Sequence, residues 1–454
     1  MRDIISRDMH DKNIEFRRDV YLDRLTHFMH NGMVKVITGV RRCGKSYLLF
    51  TLFRHELETR GVPKDHIIAI DLEAEGNERF WDPTVLGAYI RSHIKDDGHY
   101  YVLLDEIQRV GKAIPQGIDL NRIAPEDRED AYVTFYDVLN GLNNRKNVDV
   151  YVTGSNSKML SSDIATVFRG RSTEIRIWPL SFAEVFGVTG GDKSDAWERY
   201  LVFGGMPQPV LEPDEHESMQ ILRSLFDYVY FRDLVERHKL RDDAVLRAVA
   251  NTLASSAGSL VNPRRIEDTL RSAQGKSAPT APTVKKYMDY LEDAFLFDKV
   301  QRYDVRGRRY LDTPCKYFAV DVGLRNACVN FREPEQTHLM ENVVYTELRR
   351  RGFSVDVGVV DVQATEAGRR VFRQHEIDFV INDPAGKLYV QSAFNIDDPA
   401  RRAAETISLK KTGDSFRKLV VTDGNRRLST DEDGISYVGI IPFLLDEAIL
   451  SSLL

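Results

Sequence analysis

Three cysteines in 454 residues, Cys43, Cys315 and Cys328, are too few and too scattered for a disulfide framework or a zinc site. Long apolar runs are missing too, and none approaches the roughly 20 residues that span a bilayer. The opening Met1-Arg2-Asp3-Ile4-Ile5 lacks the apolar stretch of a secretory signal. These absences lead us to expect a cytoplasmic protein with no membrane partner. Positive charge is not in excess either: Lys and Arg number 63 against 69 Asp and Glu, for a net charge of -6 and a pI near 6.1. A surface coated in positive charge is thereby excluded, and contact with nucleic acid would have to rest on local basic patches.

What the chain does have is an ordinary globular composition, 42% hydrophobic and 29% charged. Its length exceeds what one core can serve, so two or three domains are expected. The pattern is helical up to about residue 30. Met33 to Thr38 then reads as a short buried strand, His66 to Leu72 as a second, Tyr100 to Leu104 as a third and Val148 to Thr153 as a fourth. Helical segments separate them, and Arg176 to Leu180 is the candidate fifth strand. Such alternation points to an α/β domain with a mostly parallel sheet. After about Phe186 helical periodicity takes over, interrupted by the polar stretch Gly275 to Pro282. From about residue 335 a second, smaller α/β pattern follows, with strands expected at 353–360, 370–381 and 387–394 and again at Lys418 to Thr422.

Between the first strand and the next helix, Gly39-Val40-Arg41-Arg42-Cys43-Gly44-Lys45-Ser46 fits G-x-x-x-x-G-K-[ST]. The glycines let the backbone curl so that its N–H groups face phosphates, and the helix beyond, with Tyr47 in its first turn, offers the same anion its positive end. Lys45 would neutralise the β- and γ-phosphates, and the Ser46 hydroxyl would ligand Mg2+. ATP and Mg2+ are therefore the expected cofactors. The third strand ends in Asp105-Glu106, where Asp105 would hold Mg2+ through water and Glu106 would polarise the attacking water. Taken alone, an apolar run ending in two acids is common; coupled to a phosphate loop it gains meaning. The fourth strand ends in Gly154-Ser155-Asn156, where an amide or hydroxyl would contact the γ-phosphate or orient the water, or would simply turn the chain. Arg169 and Arg171 flank Gly170. One of them would serve a neighbouring subunit's γ-phosphate and couple hydrolysis to assembly, or the two form a surface pair.

These elements resemble the AAA+ ATPases. More narrowly, the chain resembles the bacterial and archaeal "ATP-binding protein" family that carries an uncharacterised C-terminal domain. The likeness rests on residues 39–46, Leu-Leu-Asp-Glu-Ile-Gln at 103–108, Val-Thr-Gly-Ser-Asn-Ser at 152–157, Arg-Gly-Arg at 169–171 and Trp-Pro-Leu-Ser-Phe-Ala-Glu at 178–184. It continues through Phe-Gly-Gly-Met-Pro at 203–207, Lys-Tyr-Phe-Ala-Val-Asp-Val-Gly-Leu-Arg-Asn at 316–326 and the segment 341–352, and so covers nearly the whole chain. The resemblance implies that Asn156 is the sensor, that Arg169 or Arg171 is the finger acting in trans, and that the protein works as a ring, often a homohexamer. Gly111 to Asp130 is long and polar for the family and reads as an insertion, lining a central pore or lying on the surface. Domain bounds of 1–188, 189–330 and 331–454 follow.

Residues 240–325 resemble a winged helix-turn-helix. Asp243 to Leu253 reads as one helix, Asn262-Pro263 starts a second, and Thr283 caps a third. On that third helix Val284, Tyr287, Met288 and Leu291 share a face, leaving Lys285 and Lys286 outward. The wing would be Val300 to Tyr317, turning at Gly307 and carrying Arg302, Arg306, Arg308, Arg309 and Lys316. Arg264, Lys285, Lys286, Arg306, Arg308 and Arg309 are thus the candidate DNA contacts, suited to phosphates; packing against neighbouring subunits is the competing use.

The C-terminal third resembles the PD-(D/E)xK nuclease fold, with Glu341 at a helix start and Asp378 as the first acid. Gln391 stands where the second acid belongs and Ala393 where the lysine belongs. Metal-dependent cutting needs both, so a retained restriction-endonuclease-like fold without nuclease activity is expected, unless Lys387, Lys410 or Lys411 reaches in. Two functions remain open at this stage: an ATP-hydrolysing motor that moves or remodels DNA, and an ATP-dependent switch or scaffold that recruits a protein partner.

Overall fold

In the computed structural model the described residues are 16–115, 117–154, 170–240, 243–274, 278–332, 335–366, 369–384 and 386–454. They fall into two compact units, Arg17–Ile177 and Trp178–Leu454. In the first, strands β1 (Val34–Thr38), β2 (Ile67–Asp71), β3 (Tyr100–Asp105), β4 (Val148–Thr153) and β5 (Ser172–Arg176) form one sheet in the order β2-β3-β4-β1-β5. Every pairing is parallel. β1, β3 and β4 are buried at every position, as an all-parallel sheet covered on both faces requires. Val36, Ile70, Val102, Leu104 and Val152 pack with Leu86 and Ile90 of helix Pro83–His93 and Leu139 and Leu142 of helix Phe135–Asn143. Each such side chain contributes about 1.5–3 kcal/mol on burial. Helix Pro83–His93 starts where it does because the Asp82 carboxylate accepts from Thr84 N–H at 2.7 Å and Pro83 fits the first turn.

The fifth strand lies four residues earlier than expected. Ser172 to Arg176 pairs with Val34 to Thr38, and beyond it only Ile177 N–H still reaches Thr38 O, at 2.8 Å. Pro179, with no N–H to donate, prevents the ladder from running on to Leu180. Residues 111–130 are mostly exposed and carry short 3-10 turns at Leu120–Arg122, Pro125–Asp127 and Glu129–Ala131, with an isolated bridge from Ala113 to Val133.

In the second unit the helices Asp243–Ser255, Pro263–Gln274 and Ala281–Asp293 precede a hairpin of β7 (Phe297–Asp304) and β8 (Arg309–Ala319), with β6 (Leu260–Val261) on its far edge. The third helix begins at Ala281 with Thr280 as N-cap, not at Thr283, because Pro282 is pre-set for a first turn. Its buried stripe is Val284, Met288 and Leu291. Strands β9 (Ser354–Glu366), β10 (Arg369–Asp383), β11 (Gly386–Ala393), β12 (Arg417–Thr422), β13 (Ser429–Thr430) and β14 (Ile435–Gly439) extend the same sheet, in the order β13-β14-β12-β11-β10-β9-β7-β8-β6. β7 joins β9 in parallel from Arg302↔Val357 to Asp304↔Val359, so strands on either side of residue 330 share one sheet.

Several motifs that mark the family meet in this unit as packing. The Asp321 carboxylate accepts from Gly205 N–H at 2.7 Å and Leu324 N–H at 2.9 Å. Asn326 Nδ2 donates to Leu201 O and Val202 O. A Cβ on Gly205 would lie 1.8 Å from Leu180 O, and one on Gly323 2.0 Å from Phe203 O, so only glycine fits either place. Segments 178–184, 203–207 and 320–326 are therefore bound to one another, and Glu347 is buried against Arg350 and Arg351 at 2.7 and 2.6 Å.

Candidate nucleotide-binding site

Parallel strands put their C-terminal ends on one edge of a sheet, and ligands of open α/β sheets bind there. Here that edge carries Thr38 leading into the loop, Asp71, Asp105 and Thr153. Gly39 takes φ 140°, and a Cβ on it would stand 2.3 Å from Ile177 O, so the loop's first position admits glycine alone. Val40 is fully buried, and Cys43 packs with its Sγ 3.8 Å from Ile177 O. Arg41 is held by Glu73 at 3.0 Å, while Arg42 is exposed with φ 62°. Gly44, φ 101°, is the N-cap from which Lys45–Tyr47 starts a helical run continuing as π-helical Leu48–Phe53 and Arg54–Thr59. Lys45 is buried, its ammonium 3.1 Å from Gly39 O and 3.2 Å from Val40 O, inside the curve of the loop. Ser46 is exposed and Tyr47 half-buried.

Asp105 and Glu106 are both buried. Burial, with the charges of Glu106 and Asp71, pushes the Asp105 carboxyl up, against hydrogen bonds from Ser46 and Thr153. A buried carboxylate beside a serine hydroxyl is a hard oxygen set, which fits Mg2+; Ser46 and Asp105 would hold it. Thr153, opposite Asp105 in the β3–β4 register, was not singled out in the sequence. Its hydroxyl donates to Asp105 Oδ1 and accepts Glu106 N–H at 2.9 Å. Glu106 itself takes φ 52°, and Gln108 Nε2 donates to its Oε2. Both lie inside segments that carry the family likeness, but that likeness gave neither a role: strand pairing shows the role of Thr153, and the turn Ile107–Arg109 brings in Gln108. Asn156 and Arg169 lie outside the described residues. Arg171 is exposed, and its carbonyl accepts Val34 N–H at the start of β1. It therefore sits at the sheet edge away from its own chain's loop.

Of the candidate DNA contacts, Arg264, Lys285, Lys286, Arg306, Arg308 and Arg309 are all exposed. Lys285 pairs with Asp289 at 2.9 Å and Arg309 with Asp304 at 3.5 Å. Arg306 spends its guanidinium on Lys411 O and Asp361 O. Two further hairpin residues correct the expectation of an outward basic wing: Arg302 and Lys316 are buried, Arg302 donating to Gln374 at 3.1 Å.

Lys316 instead enters the acidic cluster. Glu341 lies in the middle of helix Gln336–Arg350, not at its start, and Asp378 lies on β10. Lys316 Nζ is 2.7 Å from Glu341, 2.5 Å from Glu376 and 3.7 Å from Asp378. Gln391 Oε1 accepts Asp378 N–H at 3.3 Å. Lys387 lies over the Tyr303 and Phe416 rings, and Lys410 pairs with Asp433. Among the described residues no helix is long and apolar enough to cross a membrane.

Residues 31–186 match an AAA domain, and residues 194–335 a domain of unknown function, DUF8612. An uncharacterised protein of Haemophilus influenzae is 34% identical over 94% of this chain and 98% of its own length. An uncharacterised protein of Methanocaldococcus jannaschii is 25% identical over 90% of this chain and 87% of its own. Among solved structures, the ORC2 protein of Aeropyrum pernix aligns at 13% identity over 76% of this chain and 93% of that one, with a TM-score of 0.35.

Proposed function

This chain belongs to the AAA-domain family represented by its Haemophilus influenzae relative, and from that premise we propose that it is an ATP-hydrolysing motor of the AAA+ class. The observation that carries the proposal is the single sheet edge on which Lys45, Ser46, Asp105, Glu106 and Thr153 converge. ATP seats its phosphates on the N–H groups of Gly39 to Ser46, with Lys45 turning from the loop's carbonyls to the β- and γ-phosphates. When bound, Mg2+ screens the phosphate charge. Glu106 polarises the attacking water, and Asn156 orients it. Arg169 or Arg171 of one subunit serves the site of the next in a homohexameric ring. We read residues 1–188 as the ATPase domain, 189–330 as a helical lid and winged helix, and 331–454 as a nuclease-like domain without nuclease activity, the last two joined through one sheet by the β7–β9 pairing.

The substrate we propose is DNA, remodelled or translocated. Support comes from the three helices and hairpin of residues 243–319, which expose Arg264, Lys285, Lys286 and Arg308. The alternative, a switch or scaffold that recruits a protein partner, draws on the net charge of -6 and on the carboxylates and carbonyls that already engage Lys285, Arg306 and Arg309. Stimulation of ATP hydrolysis by DNA separates the two. We expect stimulation by duplex or branched DNA that the Lys285→Glu/Lys286→Glu variant loses while keeping basal turnover. If no form of DNA changes the rate, the scaffold reading replaces the motor.

A further inference from the structure

We infer that Lys316 is the built-in cation of the acidic cluster: its ammonium fills the position from which a divalent metal would neutralise Glu341, Glu376 and Asp378, and it ties β8 to helix Gln336–Arg350 and to β10. The inference concerns only the second unit and stands apart from the reading of the nucleotide site.

The geometry is that of a neutralised core. Lys316 is 3% exposed and Glu341 and Asp378 are buried with it, while Glu376 closes the rim. Buried charges persist only when paired and hydrogen-bonded, and ammonium–carboxylate contacts of this length are the strong, charge-assisted kind. Burial works against the charge on Lys316, yet Glu341, Asp378 and Glu376 hold its ammonium above the ordinary lysine range.

Further titratable groups face the cluster from the surrounding elements. Burial and the charge of Glu341 push the Asp378 carboxyl well above the usual carboxylate range, against the pull of the Lys316 ammonium. Its Oδ2 accepts Ser392 N–H at 2.9 Å. Contact with the Glu341 carboxylate, 3.7 Å from Nδ1, raises His338 toward the imidazolium. Burial likewise raises Glu405, whose Oε2 accepts from Gln391 Nε2 at 3.5 Å. Lys316 is thus the ammonium that faces Glu341, Glu376 and Asp378, while His338 also lies 3.1 Å from the Glu335 carboxylate. Gln391, standing where another acid would have added a carboxylate, brings a neutral amide to the cluster. A divalent ion needs the same oxygens at about 2.0–2.6 Å and would stand against the ammonium.

The test uses the full chain without nucleotide. Mn2+ binding is followed by electron paramagnetic resonance, and thermal melting is followed with and without millimolar Mn2+ or Ca2+. We expect wild type and Asp378→Asn to bind the same amount of Mn2+, with no metal-dependent rise in melting temperature. Lys316→Met leaves the carboxylates unpaired, and its melting temperature should fall by roughly 5–10 °C, with part of the loss restored by millimolar Mn2+ or Ca2+. A wild-type Mn2+ site that Asp378→Asn removes would overturn the inference. So would metal-dependent DNA cleavage abolished by Asp378→Ala, or Lys316→Met melting like wild type. Should Lys316→Met fail to fold, the wild type against Asp378→Asn comparison still decides. Glu376→Gln, at the half-exposed rim, then provides a second check: acquired Mn2+ binding in that variant also counts against the inference.

Discussion

Replacing Thr153 with valine removes one hydroxyl that serves two groups. In the wild type it accepts Glu106 N–H at 2.9 Å and donates to Asp105 Oδ1. Valine keeps the β-branched shape, so β4 should form as before. A neutral hydrogen bond contributes about 0.5–1.5 kcal/mol and one to a charged group about 1.5–3 kcal/mol, which bounds the total at roughly 2–4.5 kcal/mol. Only the share expressed in the transition state lowers turnover. Taking that share as roughly 1.5–3 kcal/mol, kcat should fall about 10- to 150-fold. ATP affinity should change little, because Lys45 and the loop make no contact through Thr153. Thr153→Ser retains the hydroxyl and should recover most of the rate. Phosphate release across an ATP titration yields kcat and KM, and a fluorescent nucleotide yields Kd. The reasoning is refuted if Thr153→Val turns over at the wild-type rate, or if it loses nucleotide binding as severely as turnover while remaining folded by circular dichroism.

Three further variants test the site and the fold. Lys45→Ala should abolish hydrolysis by weakening nucleotide binding, and Glu106→Gln should bind ATP yet hold it unhydrolysed; unchanged turnover in either, in a phosphate-release assay, contradicts the site. Glu292→Gln should stabilise the fold at pH 8 and leave it nearly unchanged at pH 5, because burial and the nearby charge of Asp298 push the Glu292 carboxyl from 4.5 up to about 7. A raised carboxyl favours the protonated acid in the folded state, so its contribution is full below about pH 4.5 and is lost as pH rises through about 7. With partial exposure discounted, the gain at pH 8 should be roughly 1–2 kcal/mol, read from urea denaturation at both pH values; an equal effect at pH 5 and pH 8 would be fatal to it.

The phosphate loop was legible because its chemistry is written in consecutive residues between a strand and a helix. Asp105 and Glu106 were legible because the end of a buried strand is visible as a change in hydrophobicity. What escaped is set by register across strands. Thr153 meets Asp105 only because Leu104 pairs with Val152, and no spacing along the chain encodes that. The fifth strand was displaced because apolar Ile177, Trp178 and Leu180 outweighed the polar Ser172 to Arg176, although it is the latter that pairs with β1.

Lys316, expected on an outward wing, is the more instructive case. A motif assigns a role to a position, whereas the carboxylates of Glu341 and Asp378 need only a cation within reach, from any strand. β8 supplies it, and the sequence did contain a sign. Lys316 interrupts an apolar run, Cys315 to Ala319, that is buried throughout. Lys35 does the same in β1, where it is fully buried and paired with Asp149 of β4. Long side chains at strand edges can bring their charge to water, but a lysine flanked by buried residues on both sides has no such route and must find an acid in the interior. Read that way, each of the two lysines announces a buried carboxylate on another element, and the search for a partner begins from the lysine rather than from the motif. Applied to residues 315–319, that rule would have excluded Lys316 from an exposed wing and brought it to the acidic helix before any strand was paired.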